Sequence, residues 1–204
     1  MPERDLARVF VALDLPAADK QALAAAIAGL AAAIPSGVRW VNPAGIHLTL
    51  KFLGNIDAGM IPQLLEAIGG GVAAFNEPSF PLRLSSLGVF PNLREPRVLW
   101  AGVAGDLAAL GRLQTGVDQA IAGLGFAREG RPFRPHLTLG RVRDGTPPAT
   151  RREIGQTLAA ANLATGDSWL PDQVHLIRSN RTPQGAIYTS LGSRPLPPGG
   201  QERA

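Results

Sequence analysis

The sequence predicts a duplicated fold in which strands alternate with helices, of the α+β or α/β class. Three observations lead to this prediction. Apolar residues are spaced as in strands in some segments and as in amphipathic helices in others. A loop of turn-forming residues at 91–96 separates two halves with much the same order of elements. The tetrapeptide His-Leu-Thr-Leu occurs once in each half.

The first half contains four predicted strands and two predicted helices. The strands are at residues 7–13, 38–41, 46–53 and 80–90. An alanine-rich helix begins after Pro16, where a proline is tolerated in the first turn, and ends at residues 35–37, which are Pro-Ser-Gly. Asp57 is expected to cap the second helix, and the glycines at 69–71 are expected to weaken its end.

The second half repeats much the same order. Its strands are predicted at residues 97–103, 134–142, 173–179 and 186–191, and its helices at 106–124 and 150–163. A further short strand near Phe126 would be needed to match the first half. We therefore predict a single domain over residues 1–193, with repeats at 7–90 and 97–192. The tail at 194–204 is rich in proline and glycine and is predicted to be disordered.

Composition excludes several classes of protein. Hydrophobic residues make up 45% of the 204, which is enough for a buried core. The absence of cysteine excludes disulfides, thiolate metal sites and a cysteine nucleophile. The apolar run at 9–13 is too short for a signal peptide or a membrane span. We expect a cytoplasmic monomer that does not associate with membranes.

The basic residues are nearly all arginines. Of 20, only Lys20 and Lys51 are lysines. Arginine suits phosphate recognition, although an arginine- and alanine-rich sequence can equally reflect genomic base composition. A net charge of +4 is too small for a protein that coats nucleic acid, but it is compatible with a small anionic ligand or the end of an RNA strand.

The repeated motif includes two of the three histidines, at His47–Leu50 and His136–Leu139. A histidine is followed by Leu-Thr-Leu by chance roughly once in a few thousand cases. Side chains alternate between the two faces of a strand, so the His and Thr of each motif share one face and the leucines share the other. The leucines suit a core, and the His and Thr suit a solvated cleft.

Two histidines and two threonines around one pocket fit phosphodiester chemistry without a metal. One imidazole would take a proton from water and the other would protonate the leaving oxygen, because the ordinary histidine pKa of about 6.5 allows either role. The hydroxyls of Thr49 and Thr138 would donate hydrogen bonds to the non-bridging oxygens. The spacing does not reveal which histidine is the acid.

These motifs resemble those of the two-histidine phosphoesterase superfamily, and in particular the RNA 2′,3′-cyclic phosphodiesterases (2′-5′ RNA ligase-like family). The similar stretches are residues 8–13, 47–54 and 96–103, within a likeness that runs from about residue 7 to 192. The resemblance implies an α+β fold of two antiparallel-sheet lobes with outer helices and a central cleft. It also implies that RNA ends or nucleotides with a 2′,3′-cyclic phosphate are substrates, that no cofactor or metal is needed, and that the product is a 2′-phosphate.

The resemblance further implies roles for individual residues. His47 would donate a proton to the departing 3′ oxygen, and His136 would activate water. Arg141 and Phe52, each five residues after a motif histidine, match positions that bind phosphate and stack on a base. Simple alternation would turn both away from the cleft. Gly140 could supply a bulge that returns Arg141 to it.

Some alternatives remain open at this point. No glycine precedes Phe52, so it could pack in the core. Lys51, at an even offset, could reach the cleft or be an exposed strand residue. His175 lies outside any motif and is interpreted as a sheet or surface residue. The same site could also join a cyclic phosphate to a 5′-hydroxyl in 2′-5′ ligation, act on another cyclic phosphodiester such as a cyclic phosphate of ADP-ribose, or bind nucleotide or RNA without catalysis.

Overall fold

The computed structural model describes residues 5–182 and 185–199. Its main elements, in chain order, are β1 Leu6–Leu13, α1 Ala17–Ala33, β2 Val38–Trp40, β3 Leu48–Asp57, α2 Ile61–Phe75, β4 Leu82–Phe90, β5 Val98–Gly105, α3 Leu107–Ala122, β6 His136–Val142, α4 Pro148–Ala160, β7 Gln173–Thr182 and β8 Gly185–Pro195.

The strands form two four-stranded antiparallel sheets, so the α+β class is confirmed. Sheet A has the order β3-β1-β7-β8, and sheet B has the order β2-β6-β5-β4. Each half of the chain contributes strands to both sheets. The order β3-β1-β7 in sheet A corresponds, element for element, to β6-β5-β4 in sheet B. The two sequence halves are thus related by a pseudo-two-fold, with β4 and β7 exchanged between the sheets.

The helices cover one side of the sheets. α2 and α3 pack on each other, α2 contacts β7 and β8, and α3 contacts β3, while α4 contacts β4 and α1. The motif leucines point into the resulting core, since Leu48, Leu137 and Leu139 are fully buried. We call the opposite face of each sheet, which carries the motif His and Thr, the motif face. Some Cα atoms of β3 and β6 lie within 8 Å of each other, so the two motif strands are neighbours across the two sheets.

No strand occurs near Phe126 in the described residues, so that prediction is wrong. The equivalent of β2 would lie outside β3, the edge strand of sheet A. The loop between α3 and β6 forms no strand there, and side chains on the helix side of sheet A hold it. Lys51 of β3 donates to the carbonyl of Ala127 at 2.8 Å, and Asp118 accepts from the amide of Glu129 at 3.3 Å.

The predicted disordered tail is wrong at its start. β8 runs to Pro195 in register with Gln173 of β7, and Leu196 is buried. The amide of Leu196 donates to the Asp172 carbonyl at 2.8 Å. The apolar Leu196 side chain and the long β7–β8 ladder fix this segment despite its prolines. Residues 200–204 lie outside the described residues.

The glycines at 69–71 do not end α2, which continues to Phe75. A Cβ on Gly71 would lie 2.8 Å from the Cα of Val117, so glycine lets α2 and α3 approach closely. Asp57 accepts from the amide of Gly59 at 2.9 Å and so caps the short 3₁₀ turn that leads into α2. The segment Ala58–Phe75 has the length and hydropathy of a membrane span. It packs against α3, β7 and β8, as a core helix does.

Candidate active site

Each motif histidine forms the same kind of hydrogen bond, from Nδ1 to the carbonyl oxygen of the residue two positions before it. Nδ1 of His47 lies 2.8 Å from the carbonyl oxygen of Gly45, and Nδ1 of His136 lies 2.7 Å from that of Arg134. A carbonyl oxygen can only accept, so Nδ1 carries the hydrogen in each case. Nε2 is therefore the nitrogen that takes up or releases a proton. Neutral imidazole presents a base at Nε2, and imidazolium presents an acid at the same atom.

The turn before β3 supplies the carbonyl that orients His47. Pro43–Gly45 form a 3₁₀ turn, and the side chain of Asn42 caps it by accepting from the amide of Ala44 at 3.1 Å. Gly45 also makes room beside the histidine, since a Cβ there would lie 2.8 Å from the ring of Tyr188. The turn thus fixes the imidazole and admits an aromatic neighbour.

The two threonines lie on the motif faces. Thr49 is paired with Ala12 of β1, and Thr138 is paired with Trp100 of β5. Both are half-buried, whereas Leu48 and Leu137 next to them are fully buried. The alternation predicted for the two tetrapeptides is therefore present in the structure.

A β-bulge follows the threonine in each motif. In sheet A, Ala12 pairs with Thr49 and Val11 pairs with Lys51, so Leu50 is the extra residue. In sheet B the corresponding extra residue is Leu139, between the pairs Trp100–Thr138 and Leu99–Gly140. One extra residue reverses the alternation beyond it. Side chains five positions after each histidine therefore return to the motif face.

The bulges determine which face of the sheet carries Phe52 and Arg141, the residues five positions after the motif histidines. Phe52 is paired with Phe10 and is 64% exposed, so the alternative of core packing is wrong. Arg141 is paired with Val98, whose side chain shares a face with that of Trp100, and it too is exposed. The expectation that Lys51 could reach the cleft is wrong for the same reason.

Lys51 lies on the helix side of sheet A and is buried. Its Nζ donates to Asp118 of α3 at 2.5 Å and to the Ala127 carbonyl at 2.8 Å. Burial alone would raise the pKa of Asp118, but the hydrogen bonds from Lys51 and the Glu129 amide outweigh it and lower that pKa. The pair ties β3 to α3 and to the loop that precedes the second motif.

Aromatic rings surround His47, and the sequence did not indicate them. Phe10 stacks on the imidazole at a centroid distance of 4.4 Å, and Tyr188 meets it edge-on at 4.9 Å. His136 is contacted edge-on by Phe90 at 5.0 Å. Tyr188 is the chain's one tyrosine. The pairing that brings β8 near β1 is long-range, so no local pattern signals this cluster.

The surroundings of His47 alter its proton affinity. Burial among these rings lowers the pKa of His47. The hydrogen bond to Gly45 and the charge of Asp14 oppose this shift, and the charge of Lys20 adds to it. Neutral His47 is therefore favoured in the free protein. An anionic ligand beside the ring would raise the pKa again, because an opposite charge stabilises imidazolium.

His175 also lies on the motif face. It is paired with Ala12, which is itself paired with Thr49, and it is half-buried. The interpretation as a sheet residue is correct. His175 is on β7, and β1 is the strand that lies between it and the first motif on β3. Within residues 5–182 and 185–199, no three His, Asp or Glu side chains come together as a metal site would require.

Two antiparallel sheets related by a pseudo-two-fold, each with one oriented histidine and a threonine two residues later, define a phosphoesterase of the two-histidine class. The LigT-like phosphoesterase family matches residues 13–100 and 104–188, and the chain belongs to this family.

Curated relatives agree with this assignment. The chain is 33% identical over 154 residues, 76% of its length, to an RNA 2′,3′-cyclic phosphodiesterase of Methanothermobacter thermautotrophicus, and the match covers 80% of that protein. It is 34% identical over 92% of its length to one of Geobacillus stearothermophilus, but spans just 56% of that longer protein.

Solved structures show the same architecture. The Escherichia coli LigT complex with 3′-AMP superimposes with a TM-score of 0.68 and 27% identity, over 94% of this chain and 99% of LigT. A protein of Thermus thermophilus gives a TM-score of 0.69 and 29% identity, over 94% of this chain and 98% of that one.

Proposed function

We propose that this protein hydrolyses the 2′,3′-cyclic phosphate at the end of an RNA strand, or of a nucleoside, to a 2′-phosphomonoester. The observation that carries the proposal is the matched pair of imidazoles, each with Nδ1 bonded to a backbone carbonyl and Nε2 available. An acid and a base that each expose one defined nitrogen are what a cyclic phosphate needs for ring opening.

The proposed reaction is an in-line displacement at phosphorus. Neutral His136 accepts a proton at Nε2 from the attacking water, and a new P–O bond forms. The bond from phosphorus to the 3′ oxygen breaks, and imidazolium His47 gives its Nε2 proton to that oxygen. The products are a 3′-hydroxyl and a 2′-phosphate, and one proton has moved from His47 to the leaving oxygen for each proton accepted by His136.

The remaining site residues would bind the substrate. Thr49 and Thr138, which lie on the motif faces, would donate hydrogen bonds to the non-bridging oxygens, which gain charge during displacement. Arg141 would hold the phosphate, and the exposed ring of Phe52 would stack on a base. The complex of the 27% identical LigT with 3′-AMP supports nucleotide binding by this chain as well.

The test is incubation with a nucleoside 2′,3′-cyclic phosphate in EDTA, followed by phosphorus NMR of the product. We expect a 2′-monophosphate at an undiminished rate. A 3′-monophosphate would contradict the assigned direction of ring opening. Activity that EDTA removes and a metal restores would contradict acid–base catalysis without metal, and joining of cyclic-phosphate RNA to a 5′-hydroxyl strand would indicate ligation instead.

A further inference from the structure

A second arginine lies opposite Arg141. β2 comes from the first half of the chain but pairs with β6 of sheet B, in the register Arg39 to Arg141, Trp40 to Gly140 and Val38 to Val142. Residues directly opposite each other in an antiparallel pair point to the same face, with Cβ atoms about 5 Å apart. Arg141 is on the motif face because of the bulge at Leu139, so Arg39 is on that face too.

Neither guanidinium is neutralised. Both side chains are exposed, and neither forms an ion pair with a carboxylate in residues 5–182 and 185–199. Like charges directly opposite each other on a sheet are destabilising. An anionic ligand that binds both would remove this repulsion, and guanidinium groups match phosphate oxygens in geometry and charge.

The two arginines are not equally far from the reacting centre. Along β6, Arg141 follows Thr138 by three residues, one of which is the bulge, and the rise is about 3.3 Å per residue. Arg39 lies a further strand spacing of about 4.8 Å outward, on the edge strand of sheet B. Arg141 is thus within reach of the cyclic phosphate, and Arg39 is the next cation along the same face.

We propose that Arg39 binds the phosphodiester that precedes the terminal nucleotide of the RNA strand. The proposal rests on the proposed function and narrows its substrate class to the end of an oligonucleotide rather than a free nucleoside cyclic phosphate, which has no such phosphodiester. β2 has no counterpart in the second half, where residues 123–135 form no strand, so sheet A has no equivalent strand beside β3 to carry such a subsite.

The experiment compares kcat/KM for two substrates, a nucleoside 2′,3′-cyclic phosphate and a short oligoribonucleotide with the same terminal nucleoside and cyclic end. In Arg39→Gln, the ratio of oligonucleotide to nucleoside kcat/KM should fall roughly tenfold or more, because a charge-assisted hydrogen bond to phosphate is lost. Arg39→Lys should restore part of the ratio. Arg152→Gln is the matched control, since Arg152 is an exposed arginine on α4, and its ratio should equal that of the wild type.

An Arg39→Gln variant with an unchanged ratio would overturn the subsite, and so would an equal loss on both substrates. Failure of the proposed function is distinguishable, because the wild type would then turn over neither substrate. In that case, anisotropy of a labelled oligoribonucleotide with a 3′-phosphate end decides the matter. Arg39→Gln should weaken the binding of this oligonucleotide and reduce the slope of log K against log salt concentration by about one, as expected for the loss of one phosphate contact. Binding with the affinity and slope of the wild type would overturn the proposal.

Discussion

The two motif strands have the same backbone but different support. Below the first motif, the bulge is followed by Lys51, whose charge is paired with Asp118 in the core, and Gln114 of α3 donates to the carbonyl of the bulged Leu50 at 3.4 Å. Below the second motif, the same position holds Gly140, where a Cβ would lie 2.8 Å from Val38 and 3.0 Å from Trp40. The same bulge after the motif threonine is thus supported by a buried ion pair in the first motif and by close contact with β2 in the second.

The two imidazoles also differ in their surroundings. Phe10 and Tyr188 cover His47 and favour its neutral form. His136 is contacted edge-on by the ring of Phe90. An acid–base pair needs one imidazole protonated and the other neutral at the start of the reaction, so for His47 to act as the acid the bound phosphate has to raise its pKa again. The comparison shows that duplicated strands can preserve the orientation of a catalytic group while its environment diverges.

The largest expected effect is loss of either histidine. His47→Ala and His136→Ala should each lower kcat by about 10²-fold or more, because each removes one proton transfer. The double variant should lose less than the product of the two, since the pair acts as a unit. Steady-state kinetics on a nucleoside cyclic phosphate measures this, and a near-normal rate in either single variant would break the equivalence of the two motifs.

The next effect concerns the different supports of the bulges. Lys51→Met removes the nearest cation from the buried Asp118, which keeps the longer contact with the exposed Arg128 at 3.3 Å, and should lower the free energy of unfolding by about 3–5 kcal/mol. Adding Asp118→Leu should restore most of it, because a well-packed apolar pair can replace a buried ion pair. Gly140→Ala should cost about 1–3 kcal/mol through overpacking against β2. Urea unfolding measures all three, and a Lys51→Met variant of wild-type stability would disprove the structural role of the pair.

Phe52 and Arg141 occupy equivalent positions but should have different effects. Phe52→Ala removes a stacking surface worth about 1–3 kcal/mol per base, and should raise KM about tenfold with a smaller change in kcat. Arg141→Gln should lower kcat as well as raise KM, because the phosphate gains charge in the transition state. Identical changes in both parameters for the two variants would show that the positions are not functionally distinct.

The smallest effect is on pH dependence. If His47 is the acid, kcat/KM falls as pH rises through its pKa in the free protein, and this limb should lie below the ordinary imidazole value of about 6.5. In kcat the same limb should appear at higher pH, because the bound phosphate stabilises imidazolium. Tyr188→Ala should move the limb upward by exposing the ring. If the acidic limb moved instead, His47 would be the base.

Local sequence signals predicted much of this site but not its long-range parts. Alternation placed both His-Leu-Thr-Leu motifs correctly, because the leucines are core residues and the sheet is buried on one face. The bulge at Leu50 has no glycine beside it to reveal it, so Phe52 and Lys51 could not be assigned to faces. Tyr188 reaches His47 through pairing of β8 with β7 and of β7 with β1, which no local pattern encodes.

The exchange of β4 and β7 between the sheets bears on how such a protein arose. A half-length ancestor with the order of β1 to β4 could not complete either sheet alone, but two identical copies could do so by exchanging the strands equivalent to β2 and β4 across a two-fold axis. Such a homodimer would have possessed two identical imidazoles. Gene fusion would then have allowed each copy to mutate separately, so that one histidine could acquire aromatic neighbours and the other could remain open to water.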